Sequence, residues 1–119
     1  MKAEDRLFAV RIAAIASIEL GRPLGGCRCL VLGEGAHAQA LLRELEGRAL
    51  AADGAARGGA RYELIVLTGE EPQDLARLAA PDALVLDAAA WKAHRALYDP
   101  ETPLRRVRVL VLPSSKDKK

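Results

Sequence analysis

Only two cysteines, two histidines and one tryptophan occur among the 119 residues, and these shortages remove several chemistries at once. Cys27 and Cys29 stand two positions apart. That spacing makes a poor disulfide loop, and two thiols do not complete a tetrahedral zinc site, so both are expected to be buried free thiols. His37 and His94 are far apart, each on a predicted helix, where a surface or capping role is expected rather than catalysis. Aromatic residues make up only 3% of the chain, and Trp91 is expected to lie part-buried, with a contact anchor as its functional alternative. A formal charge of +2 is too small to demand nucleic acid as a partner. No apolar run reaches the length of a membrane span, and residues 1–20 lack the ordered regions of a secretory signal. The expectation is a cytoplasmic, reduced domain with neither a membrane nor a nucleic-acid partner.

What is present is aliphatic. Half of the residues are apolar, enough to bury one core and too few for two. Five short runs rich in Val, Leu and Ile, near residues 28–32, 48–52, 63–68, 83–87 and 107–112, suit strands buried on both faces of a parallel sheet. Ala- and Leu-rich segments from Ala36 to Leu45, Pro72 to Ala80 and Ala89 to Tyr98 read as helices between them. Right-handed crossovers then predict an α/β fold with a doubly wound five-stranded parallel sheet in the order 2-1-3-4-5. Residues 54–61 are Gly-rich and long enough only for a loop, so the second helix is expected to be eroded. Residues 7–20 carry two periodicities. Phe8, Val10 and Ile12 alternate as in a strand, while Leu7, Val10, Ala14 and Ile18 fall on one helical stripe able to cover a bare flank of the sheet.

The segment Tyr62-Glu63-Leu64-Ile65-Val66-Leu67-Thr68, followed by Pro72, resembles the central strand of a response-regulator receiver domain, with Thr68 where the phosphate-accepting aspartate would stand. The other strand ends extend the resemblance over residues 24–115. After Cys29-Leu30-Val31-Leu32, Gly33 and Glu34 occupy the places of two metal-binding aspartates, and Asp87 sits at the place of the switch hydroxyl. Leu112 replaces the phosphate-contacting lysine, and Pro113 after it is kept. A phosphoryl acceptor must be a carboxylate beside a bound Mg²⁺, and a threonine hydroxyl has neither the charge nor the nucleophilicity. The resemblance therefore implies a pseudo-receiver of a hybrid sensor histidine kinase: non-catalytic, without cofactor, receiver-like in fold, with a truncated fifth helix. Residues 1–22 then read as a linker or the end of a preceding kinase ATP-binding domain, residues 23–115 as the pseudo-receiver, and residues 116–119 as a disordered tail.

The resemblance also implies a regulatory face that docks on the kinase catalytic or dimerisation domain of the same protein. Arg105, Arg106 and Arg108 fall there, with Tyr98, Asp99 and Pro113 nearby. Arginine forks suit phosphate and guanine edges, which makes cyclic di-GMP a candidate ligand. The alternative is a small NAD(P)-binding domain, in which Gly33-Glu34-Gly35 lets the backbone approach a pyrophosphate and Asp53, twenty residues after Gly33, binds a ribose hydroxyl.

Overall fold

The computed structural model describes residues 2–69, 72–88 and 108–110, with the side chains of Asp82 and of residues 108–110 left out. Within them, α1 (Ala3–Leu20), β1 (Arg28–Leu32), α2 (Ala36–Glu46), β2 (Ala51–Asp53), β3 (Tyr62–Leu67), α3 (Leu75–Leu78), β4 (Ala79–Asp87) and β5 (Arg108–Leu110) follow in order. The strands form one sheet, β2-β1-β3-β4-β5. β1 pairs in parallel with β2 and with β3, and β3 with β4.

The fifth strand departs from expectation. β5 pairs antiparallel with β4, Asp87 opposite Arg108 and Val85 opposite Leu110, so the sheet is not parallel throughout. An edge strand ladders with one neighbour only, and either direction satisfies its hydrogen bonds. A short apolar run carries no signal of direction.

Alternation along the strands sorts their side chains onto two faces. Cys29, Val31, Leu64, Val66, Leu84 and Leu86 face α1 and α2. Leu30, Ile65, Leu67 and Val85 face the side of α3. Parallel strands buried on both faces explain why these runs are apolar without interruption.

α1 forms a helix because Ala, Leu, Ile and Arg fill it without a breaker, and Glu4 and Asp5 in its first turn suit the positive end of the helix dipole. It stops at Gly21, whose φ of 68° no β-branched residue adopts comfortably. There the Gly21 N–H donates to Ile18 O at 3.1 Å and the Arg22 N–H to Ser17 O at 3.3 Å, the pair of bonds that closes a Schellman cap before Pro23. Phe8, Ile12, Ile15 and Ala16 of α1 are buried in the same cluster as α2 and the sheet.

The other elements are shorter or displaced. The helix expected from Pro72 to Ala80 is the single turn Leu75–Leu78, because Ala79 already pairs with Tyr62. From there to the next registered pair, Leu64 with Leu84, β4 advances five positions while β3 advances two. Pro81 lies inside this irregularity, where its missing N–H removes a ladder bond. The second strand, expected near 48–52, is Ala51–Asp53, and residues 54–61 contain no helix. No helix among the described residues is long and apolar enough to cross a membrane. The expected helix from Ala89 to Tyr98, with Trp91 and His94, lies outside the described residues.

Candidate functional site

The parallel strands bring Gly33 and Glu34 after β1, Thr68 after β3 and Asp87 at the end of β4 to one edge of the sheet. Asp87 stands opposite Leu67 in the ladder, next to Thr68 in the chain. In doubly wound sheets this carboxyl edge is where ligands bind.

Here the edge is closed by its own side chain. Thr68 is 2% exposed; its N–H donates to Leu32 O at 2.8 Å and its hydroxyl to the same oxygen at 3.0 Å. The hydroxyl takes the space that a side chain on residue 33 would need. A Cβ built on Gly33 would meet Thr68 Oγ1 at 1.9 Å, and Gly33 holds a φ of +129°. Glycine at 33 and threonine at 68 are thus one interlocked feature. The hydroxyl proton is thus committed to a backbone carbonyl inside the fold. The Ala88 N–H, which donates to Leu67 O at 2.8 Å, ties the neighbouring strand end into the same lattice.

The remaining carboxylates differ in setting. Glu34 is exposed beside the turn, and Asp87 is part-buried. Arg108 is the residue set opposite Asp87 in the antiparallel ladder of β4 and β5. Leu112, Tyr98, Asp99, Arg105, Arg106 and Pro113 lie outside the described residues, so of the basic face only the Arg108 backbone is placed. Among the described residues no group of three or more His, Cys, Asp or Glu is arranged to hold a metal ion.

The glycines of the dinucleotide alternative do make a strand-turn-helix. Gly35 caps α2 with a φ of 104°, where a side chain is strained. Asp53, the ribose-binding candidate, is engaged within the protein: the Tyr62 hydroxyl donates to its Oδ2 at 2.7 Å, and Arg57 Nε lies 3.4 Å from its Oδ1. The Arg57 N–H in turn donates to the Tyr62 oxygen at 3.2 Å. Burial pushes the Tyr62 phenol above its ordinary pKa, and Asp53 adds to this while the Arg57 N–H opposes it.

A second polar cluster has no local sequence signal. His37 Nδ1 lies 2.6 Å from Asp5 Oδ1, and the imidazole sits 4.7 Å from the Phe8 ring, centroid to centroid, tilted by 44°. Asp5 is 5% exposed. The pair joins the first turn of α1 to the first turn of α2 and satisfies a carboxylate that packing removes from water. Only the fold brings together residues so distant in sequence.

Cys27 and Cys29 are free and buried on one face. Burial pushes the Cys29 thiol up to about 12 from 9.0, with Cys27 and Glu63 adding to the shift. The folded state therefore keeps a proton that the unfolded state loses. Stability from this group is intact below pH 9.0 and declines towards pH 12, by up to about 1.4 kcal/mol per pH unit. Urea midpoints taken at pH 8 and pH 10 are expected to fall more for the wild type than for Cys29→Ala, and iodoacetamide is expected to leave Cys29 of the native protein unmodified.

No protein-family model, no curated protein and no solved structure matches this chain.

Proposed function

We propose that the chain is a pseudo-receiver, a regulatory domain that has kept a receiver-like sheet and lost phosphoryl transfer. The observation that carries this reading is Thr68, whose hydroxyl fills the space over Gly33 at the place where the resemblance puts a phosphorylated aspartate. The order β2-β1-β3-β4-β5 and the gathering of Gly33, Glu34, Thr68 and Asp87 at one sheet edge support it. The antiparallel β5 is a departure from the receiver pattern.

On this reading the domain acts by docking. It holds a histidine kinase inactive by packing on its catalytic or dimerisation region, and a ligand that competes for the same face shifts the population towards the active arrangement. Cyclic di-GMP is the ligand candidate, held by Arg105, Arg106 and Arg108 with Tyr98, Asp99 and Pro113. The dinucleotide-binding alternative has less support, because Asp53 already accepts from Tyr62.

Titration of isotope-labelled protein with cyclic di-GMP, NAD and NADP tests both. Amide shifts confined to residues 98–113 on adding cyclic di-GMP, and weakened by Arg105→Ala or Arg108→Ala, are expected. Shifts centred on residues 33–38 and Asp53 on adding NAD or NADP overturn the proposal in favour of the cofactor domain.

A further inference from the structure

Where the eroded helix leaves room, the loop between β2 and β3 and the turn α3 enclose a groove of about 380 Å³, lined by Arg57, Gly58, Gly59, Arg61, Asp74 and Arg77 among others. Among the described residues, three arginines and one acidic residue line it. We propose that this groove binds a small molecule carrying two or more phosphate groups.

Two of the arginines have a partner within the protein. Arg57 is held at its Nε by Asp53, which the Tyr62 hydroxyl fixes in turn. Arg61 Nη1 donates to Ala79 O at 3.1 Å, next to the start of β4. A guanidinium has five N–H donors in a planar fork, so a single anchoring bond orients it and leaves further donors for a phosphate. Arg77, exposed on α3, is the third arginine of the lining.

The two glycines of the lining leave open space. Nothing stands within 4 Å of a Cβ built on Gly58 or Gly59, and Gly59 has a φ of +78°, so neither residue puts a side chain in the way of the backbone N–H groups. The volume exceeds what one phosphate fills and falls in the range of small-molecule sites. Several forks around one opening favour a ligand with several charges. This groove is remote from the closed Gly33–Thr68 edge, because Ala79 begins β4 whereas Asp87 ends it.

Calorimetric titration of the full chain with inorganic pyrophosphate at low salt tests the proposal, with orthophosphate as the single-phosphate comparison. Pyrophosphate is expected to bind more tightly than orthophosphate, with an affinity that falls as salt rises. Arg77→Ala and Arg61→Ala are each expected to weaken it at least tenfold, about 1.4 kcal/mol, and Arg43→Ala on α2 to leave it unchanged. Arg77→Lys keeps the charge and loses the fork, and is expected to recover only part of the affinity. Arg77 is exposed and holds no strand, so its variants report on binding even if Arg61→Ala disturbs the start of β4. Absence of binding at millimolar pyrophosphate, or binding that Arg61→Ala and Arg77→Ala both leave intact, overturns the proposal.

Discussion

Gly33→Asp, which places a carboxylate at the first strand end, is expected to destabilise the fold by about 3–7 kcal/mol. Three costs act together. A non-glycine residue at φ +129° is strained, by about 1–3 kcal/mol. Its Cβ would fall 1.9 Å from Thr68 Oγ1, so the buried threonine must move, at about 1–3 kcal/mol for an overpacked interior. Moving it breaks the hydroxyl bond to Leu32 O, a net contribution of about 1 kcal/mol. Gly33→Ala should lose nearly as much. Combining it with Thr68→Ala should remove the 1.9 Å clash with Oγ1, but not the 3.1 Å approaches to the Cβ and carbonyl carbon of residue 68 nor the backbone part, so the two sites are expected to couple in a double-mutant cycle by about 1–3 kcal/mol. Urea unfolding of the wild type, Gly33→Asp and the three proteins of the cycle measures this. Strict additivity, or a Gly33→Asp protein as stable as wild type, contradicts the interlock.

Phe8→Ala is expected to cost about 3–5 kcal/mol, and Ile12→Ala about 2–5, although both lie in a segment that precedes the sheet. Each side chain is fully buried against α2 and the strands carrying Cys29, Val31 and Leu64. Either loss is a large fraction of the roughly 5–15 kcal/mol that stabilises a domain of this size. Ile18, on the same helix but 70% exposed, provides the contrast: Ile18→Ala should change stability by less than about 0.5 kcal/mol. Equal effects at positions 8, 12 and 18 would mean that α1 is not part of the core. A fall in the denaturant midpoint without a change in slope is expected for the first two, since the folded surface stays the same.

The central strands were legible because burial on both faces writes an uninterrupted apolar run, and residues 29–32 and 64–67 have one. α2 was legible for the same kind of reason, with an apolar stripe bounded by glycines. Other features were carried by tertiary contacts alone. The second strand shifted to Ala51–Asp53, where it pairs with Arg28 to Leu30, and no local signal marks that register. The turn at Leu75–Leu78 yields to β4 because Ala79 finds a ladder partner in Tyr62, which helix propensity does not anticipate. Residues 7–20 had both strand and helix patterns, and the helix forms with another face inward than the expected stripe: Phe8, Ile12, Ile15 and Ala16 meet α2 and the sheet, whereas Val10, Ala14 and Ile18 are exposed, and the Schellman bonds at Gly21 fix its end. At the site, the residue types at Gly33 and Thr68 were readable, but their contact was not. Neither was the direction of β5, nor the pairing of Asp5 with His37.

On the proposed reading, the carboxyl edge of this sheet has lost phosphoryl chemistry because its residues fill it themselves. The direct measurement is incubation with acetyl phosphate and Mg²⁺, followed by mass spectrometry under conditions that preserve acyl phosphates, with beryllofluoride binding read in parallel from fluorine resonances. No acid-labile phosphate and no bound fluorine signal are expected, in the wild type and in Thr68→Asp alike, since Gly33 still supplies no metal carboxylate. A stoichiometric acid-labile phosphate on the wild-type protein, at Asp87, Glu34 or any other carboxylate of this edge, would contradict the account.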